Sequence, residues 1–248
     1  GRNSPSTRFA TEAEYNKALL DKCDELGIEL IAITDHWAVD TASGLIQDTT
    51  ARGVVALPGF EANTAEGFHV LVIFEAGTIA ADVNAAIGAC GVTPGCNNGT
   101  VGQPFEDILE KMSDRGALVI PAHANVANSG MLTGRQGNPL AKLINHPRLH
   151  ALGITPSVAA AQEQEAIIER RKPFDRKHPL AVIHADDISH PDALDSEGGS
   201  TWFKVSTLTV ESLKIAVRTP ETRIALADPK EETRPRLKEI SWVGGFLD

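Results

Sequence analysis

Short apolar runs of strand length alternate along this chain with stretches whose apolar positions repeat at helical spacing. The strand-like runs are ELIAITDH (29–36), GVVALPGFE (53–61), FHVLVIF (68–74), ALVIPAHAN (117–125), ALGIT (151–155), LAVIHADD (180–187) and WFKVS (202–206). Helical spacing predicts helices in TEAEYNKALLDKCDELG (11–27), PFEDILEKMSDRG (104–116), AAAQEQEAIIERR (159–171) and TVESLKIAVRTPETR (209–223). The first of these is the best marked: Thr11 stands as a cap with Glu14 three residues on, Leu19, Leu20, Cys23 and Leu26 share a face, and Gly27 ends it. Such alternation predicts repeated βα units and a mostly parallel sheet, with seven strands, the number of a small barrel. The Gly-, Asn- and Pro-rich stretch GACGVTPGCNNGTVGQP (88–104) reads as a surface loop, long enough to form a lid.

Composition narrows the class. A chain of 248 residues that is 42% hydrophobic has enough apolar material for one α/β barrel domain. The formal net charge of −10 argues against binding nucleic acid through a broad basic face, since that mode depends on Lys and Arg displacing counterions. A small or local anion is compatible with the charge if metal or a few placed cations offset it. Three cysteines, Cys23, Cys90 and Cys96, form no C-x-x-C pair and fit a reduced chain. With no apolar run of the roughly 20 residues a membrane span needs, and no hydrophobic signal core, the expected location is cytoplasmic.

Parallel α/β sheets carry their chemistry at the carboxyl ends of strands. Here the first strand leaves Asp35 and His36, the second Glu61, the fourth His123, and the sixth His184, Asp186 and Asp187, while His69 opens the third. Imidazole nitrogens and carboxylate oxygens converging from separate strands suit a zinc, manganese or iron ion. Such an ion lowers the pKa of bound water and polarises a phosphoryl oxygen. Each residue alone has a plainer explanation, as a helix cap or a structural imidazole, and His146, His150 and His178 fit that description. The joint occurrence at successive strand ends is what points to metal.

Taken together, AITDH, LPGFEANTAEGFHVLVIF and VIPAHAN resemble three motifs of the PHP family, named for polymerase and histidinol phosphatase. The resemblance implies a metal-dependent phosphoesterase on a distorted seven-stranded (β/α) barrel of α/β class, in which His36, Glu61, His69 and His123 are metal ligands and Glu61 bridges two ions. The family's opening Asp-Leu-His-x-His motif has no counterpart. Either Asn3 stands in a ligand's place, or the chain starts downstream of the barrel's first strand. The closing Ser-Asp-Ala-His motif corresponds to HADDISH, which keeps Asp186 as a ligand and leaves His184 or His190 to supply nitrogen. The C-terminal half, including WFKVS, TVESLKIAV and ETRIAL, is similar to the PHP domain that precedes an ATPase in the TrlF family. That similarity implies a single domain over 1–248, with 228–248 as a connector toward an ATPase domain, since no G-x-x-x-x-G-K-[ST] occurs here.

The expected activity is therefore hydrolysis of a phosphate mono- or diester on a phosphorylated small molecule or a nucleic-acid phosphate. One or two divalent ions would be held by His36, Glu61, His69, His123 and Asp186. Asp35 would orient a ligand, and His184 or His190 would protonate the leaving oxygen. Arg135 and Lys204 are candidate substrate contacts. As plain structure, Arg135 is a loop cation, Lys204 a strand-edge charge and Arg223 a helix-end cation favoured by the dipole. The rival is a catalytically degenerate module that regulates a linked ATPase, favoured by the missing first motif. Amidohydrolase chemistry is weaker, because it calls for a carboxylated Lys on a central strand and only Lys204 lies inside one.

Overall fold

The computed structural model describes residues 9–184, 187–188, 190–195, 200–227 and 229. Helix α1 (Glu12–Leu26) begins where Thr11 accepts a hydrogen bond from Glu14 N at 3.2 Å and ends at Gly27, whose φ of 66° only glycine adopts without strain. Its buried stripe is Asn16, Leu19, Leu20 and Cys23.

Strand β1 (Leu30–Ile33) pairs in parallel with the first half of β2 (Val55–Asn63), Leu30 with Val55 through Ile33 with Pro58. From Gly59 onward β2 instead pairs antiparallel with β3 (His69–Ile73), which pairs antiparallel with β4 (Leu118–Pro121). Pro58 sits where the partner changes. It has no N–H to leave unpaired, and its carbonyl accepts from Phe74 N at 2.9 Å. A parallel pair, β5 (Ala151–Ile154) with β6 (Ala181–His184), and an antiparallel pair, β7 (Trp202–Phe203) with β8 (Ile224–Ala225), complete the described strands.

The expectation of a mostly parallel arrangement thus fails at β3. Only Thr64–Phe68 separate β2 from β3, five residues that close a hairpin turn, whereas a parallel crossover needs a dozen or more. The described strands form three sheets, of four, two and two strands. No helix among the described residues is long and apolar enough to cross a membrane.

Helices α2 (Ser43–Arg52), α3 (Ala80–Ala89) and α5 (Gly137–Ile144) were not legible from spacing: α3 is largely Ala, and α5 opens on Gly137 and Pro139, which read as loop. Helix α4 (Phe105–Asp114) matches expectation, whereas α6 shrinks to Gln164–Ile168. The long helix expected over 209–223 breaks into α7 (Val210–Arg218) and α8 (Pro220–Arg223), because Pro220 cannot donate to the preceding turn.

Alternation along the strands sorts side chains onto two faces. Phe60, Ala62, Val70, Val72, Val119 and Leu152 pack outward with Val83, Ile87, Ile108, Leu109 and Met112 of α3 and α4. Leu57, Ile73, Leu118, Ile120, Ala181 and Ile183 face the other way and pack with Val210, Leu213 and Val217 of α7. Leu57, Gly59 and Glu61 share a face by the same alternation, as do His69, Leu71 and Ile73, so the hairpin's chemistry lies on the inner side.

Two outcomes test this packing. A Cβ on Gly59 would lie 2.3 Å from Val72 O, so Gly59→Ala should destabilise the protein by about 2–3 kcal/mol in urea titration. Gly88→Ala, with nothing within 4 Å, should be neutral or stabilising by up to about 1 kcal/mol. Separately, burial, then the charges of Arg218, Arg176 and His178, push the His150 imidazole down to about 4. Its folded pKa lies below its unfolded one, so its stability contribution is complete above about pH 6.5 and falls as pH drops toward 4. His150→Gln should therefore lose less stability than the unchanged protein between about pH 6.5 and pH 4.5 in paired denaturation curves.

Candidate metal centre

The carboxylate of Glu61 organises a cluster at the carboxyl ends of β1, β2 and β4. The β1–β2 pairing continues beyond β1 as a parallel bridge between His36 and Glu61, in which Glu61 N donates to Asp35 O at 3.0 Å and Trp37 N to Glu61 O at 3.1 Å. His36 is thereby set beside Glu61, its Nε2 3.1 Å from Oε2. Because β3 runs antiparallel, its first residue lies at the same end, and His69 Nδ1 comes 3.0 Å from Glu61 Oε1. His123, just past β4, brings Nε2 to 3.2 Å from the same oxygen. The imidazoles meet edge to face, with centroids 4.8 Å apart for His36 and His69 and 5.1 Å for His69 and His123.

The polar accounting of this cluster is incomplete. His36 Nδ1 is buried without a hydrogen-bond partner among the described residues. His69 Nδ1 is close enough to Glu61 for charge attraction but is not aligned for a hydrogen bond, and is also left unsatisfied. Orphaned ring nitrogens around a carboxylate that is only 4% exposed are what ligands awaiting a cation look like. Ligand atoms of His36, Glu61 and His69 lie within 4.8 Å of one another, as do those of Glu61, His123 and Asp187. Two such overlapping triads, of imidazole nitrogen and carboxylate oxygen, fit the donor preferences of zinc, manganese and iron.

Electrostatics agree with the geometry. Burial alone would raise the Glu61 pKa, but the contacts from His123 and His69 and the potential of His36 bring it down to about 2. Burial pushes the His36 imidazole below its usual value against the attraction of Glu61. At His123 burial acts in the same direction, yet its hydrogen bond to Glu61 and the attraction of that carboxylate outweigh it and hold the imidazole above its usual value. Ser129 lies behind the cluster, with Oγ 3.4 Å from His123 Nδ1 and its carbonyl accepting from His69 N at 3.0 Å.

The cluster opens on a cavity of about 1590 Å³, lined by His36, Glu61 and His123 and also by Asp35, His184 and Asp187. His184 places Nδ1 3.2 Å from Ser200 O. His190 does not line this cavity. Its ring lies against Phe9 with centroids 5.5 Å apart and accepts the Asp192 N–H at 3.2 Å. Arg135 lines a separate cavity of about 370 Å³, donates to Glu66 O, and lies 4.9 Å over the Phe68 ring. Lys204 directly follows β7, its N–H donating to Arg223 O, just before β8, at 2.8 Å. Asp186 and Asn3 lie outside the described residues. Sequence reasoning placed Asp187 at the strand end without a ligand role, and missed Tyr15, which lines the cavity and whose phenol is pushed up by burial and then by Asp35. Nothing local marks Tyr15, which reaches the site from α1.

Solved structures share this fold. The lesion-specific endonuclease EndoQ from Pyrococcus furiosus superposes with a TM-score of 0.60 at 14% identity, over 87% of this chain and 54% of that one. A structure of Endonuclease Q with a duplex substrate carrying an abasic lesion at the active site gives 0.60 at 13% identity, over 87% and 54%. A two-domain protein from Bacteroides vulgatus containing a predicted PHP-like metal-dependent phosphoesterase gives 0.54 at 13% identity, over 85% and 59%. The chain therefore has a mixed α/β fold that these structures share, and it spans little more than half of their length. No family model and no curated protein matches the sequence.

If Ser129 orients the imidazole of His123, Ser129→Ala should weaken divalent-metal affinity about tenfold, as expected when a ligand loses its outer partner, with the fold intact by circular dichroism. Competition against a chromophoric chelator measures this directly. Unchanged affinity means the hydroxyl does not hold the ring.

Proposed function

We propose that this chain is a PHP-type metal-dependent hydrolase acting on a phosphate ester. The observation that carries the reading is Glu61, a buried carboxylate contacted by three imidazoles from three strands at the head of a large cavity. His36, Glu61 and His69 would hold one ion, and Glu61, His123 and Asp187 a second, so one or two are expected, with Glu61 common to both sets. Asp187 joins the ligand set read from the sequence, beside Asp186. A divalent ion held there supplies Lewis acidity toward the phosphoryl oxygen and charge to offset the phosphate.

The residues of the chain then have distinct tasks. Glu61 remains ionised throughout the neutral range and fixes the positions of the imidazoles. His184 is assigned the proton that the leaving oxygen requires, since of the two candidate histidines it is the one lining the cavity. Asp35 holds the β2 end through its carbonyl. Neither Arg135 nor Lys204 lines the cavity, which leaves their assignment as substrate contacts without support from its geometry.

A seven-stranded barrel belongs to the same proposal. It is supported by the inner apolar cluster, to which β2, β3, β4, β5 and β6 all contribute, with Leu30 of β1 and Phe203 of β7 packed against it. A further link is the Ala124 N–H donated to Gly153 O at 2.7 Å between the β4 end and β5. Both a phosphorylated small molecule and a nucleic-acid phosphate are in range, the latter because Endonuclease Q shares the fold. The linked ATPase stays an expectation from sequence. Its connector, residues 228–248, lies outside the described residues apart from Pro229.

Elemental analysis of the purified chain, with hydrolysis assays on p-nitrophenyl phosphate and its diester, tests the reading. Glu61→Ala and His123→Ala should each lose bound metal and bring hydrolysis to the background rate. Activity that survives chelation and both substitutions would show different chemistry, and a metal-loaded but inactive protein would favour the regulatory module.

A further inference from the structure

Residues 95–102 are tied to the segments that carry His36 and Glu61, and residues 95–98 of this stretch line the cavity. Trp37, which follows His36 directly, is fully buried and stacks on Phe60, with ring centroids 5.8 Å apart. Its indole N–H donates to Thr100 O at 2.8 Å, and its carbonyl accepts from Gly95 N at 2.7 Å. The far end of the segment is tied to β2, Gly102 N donating to Asn63 O at 2.8 Å. A Cβ on Gly102 would stand 2.8 Å from Trp37 Cη2, so the segment lies as close to the indole as backbone allows. The loop is held at both ends by the strands that present His36 and Glu61.

Its inner side lines the cavity with Gly95, Cys96, Asn97 and Asn98. Asn97 Oδ1 is taken by Gly99 N at 2.8 Å. The amide nitrogen of Asn97 and the carboxamide of Asn98 have no protein partner among the described residues. The rest of the lining sets the charge. Among the described residues no Lys or Arg lines the cavity, while Glu12, Asp35 and Asp40 do, in addition to the carboxylates of the metal cluster.

We propose that residues 95–98 are the specificity wall of this site, selecting a ligand with one phosphoryl group and an uncharged, hydrogen-bonding organic part, and rejecting polyanions such as a nucleic-acid strand. The inference rests on the metal-dependent reading above. One phosphoryl group is balanced by the cations that the imidazole and carboxylate triads hold. A second phosphate in the same cavity meets no Lys or Arg among the described residues and faces carboxylates, and like charges placed together are strongly unfavourable. Hydroxyls or amides on the organic part, in contrast, meet carboxamides that both donate and accept. Trp37 acts here as a positioning residue, through the loop.

The test is calorimetric binding of non-hydrolysable phosphonates to the full chain loaded with Mn²⁺. Dihydroxybutylphosphonate should bind at least about tenfold more tightly than propylene bisphosphonate, since the second anion meets only like charge. The double replacement Asn97→Ala, Asn98→Ala should weaken dihydroxybutylphosphonate about fivefold, the size of a lost neutral hydrogen bond, without moving the affinity for Mn²⁺ or inorganic phosphate. Asn98→Lys should narrow or reverse the preference. Trp37→Phe, which removes the indole N–H, should reproduce the selective loss with Mn²⁺ still bound. If Mn²⁺ binds but the bisphosphonate is preferred, or the alanine replacements change nothing, the wall is wrong and the metal site stands. If Mn²⁺ does not bind the unchanged protein, the metal-dependent reading fails and the wall falls with it.

Discussion

Burying one carboxylate is the constraint around which the inner face of this fold is arranged. Glu61 is 4% exposed on a strand that is apolar apart from it and the terminal Asn63, and an isolated carboxylate so placed would cost several kcal/mol of lost hydration. Three imidazoles offset that cost, and each arrives by a different structural device. His36 comes from a parallel pairing extended one bridge past its strand, His69 from a hairpin short enough to reverse direction, and His123 from the turn after β4. The change of partner at Pro58–Gly59 is what lets one strand serve the first two devices at once.

The site also holds backbone strain. Trp37 has φ of 49° and His123 φ of 30°, left-handed values that cost a non-glycine residue on the order of 1–3 kcal/mol each. Both conformations are over-determined by their surroundings. Trp37 is fixed by its backbone bond to Glu61, its indole bond and the stack on Phe60. His123 is fixed by its neighbours, Ala122 N donating to His69 O and Ala124 N to Gly153 O. Asn125 secures the next stretch, its carboxamide bonding Thr155 through both N–H and carbonyl. A strained His123 held from both sides is aimed by the fold itself, which is the preorganisation the proposed metal centre would need.

Much of this was legible in the sequence because strand-end chemistry is local. An apolar run that stops on Asp35-His36, or a Gly-x-Glu after another, shows its residue type and its place on the strand together. His69 was named for the site from resemblance, and the reason it belongs there, the antiparallel hairpin, was available from the five-residue link. What alternation and spacing could not show was contact between distant segments. Trp37 looks like one more core aromatic until Thr100 and Gly95 are seen bonded to it, and Tyr15 reads as part of a core-packing stripe until Asn16, Leu19 and Cys23 beside it are seen to line the cavity. Asp187 was read as a strand-end carboxylate without a ligand role, and only its distance from Glu61 and His123 brings it into the cluster.

Fold likeness and site chemistry carry different information here. An endonuclease and a two-domain PHP-like protein share this fold at 13–14% identity, and each is longer than the present chain. Folds of this breadth host unrelated substrates, so the substrate must be argued from what surrounds the shared carboxyl ends. The strands fix where an ion can sit, whereas the loops after them decide what else fits. In this chain those loops bring carboxylates and carboxamides to the cavity and keep Arg135 and Lys204 away from it. Among the described residues no Lys or Arg lines the cavity, so on the proposed reading the positive charge a phosphate meets there would come from a cation held by Glu61 and its imidazoles, making ligand recognition and metal binding one linked equilibrium.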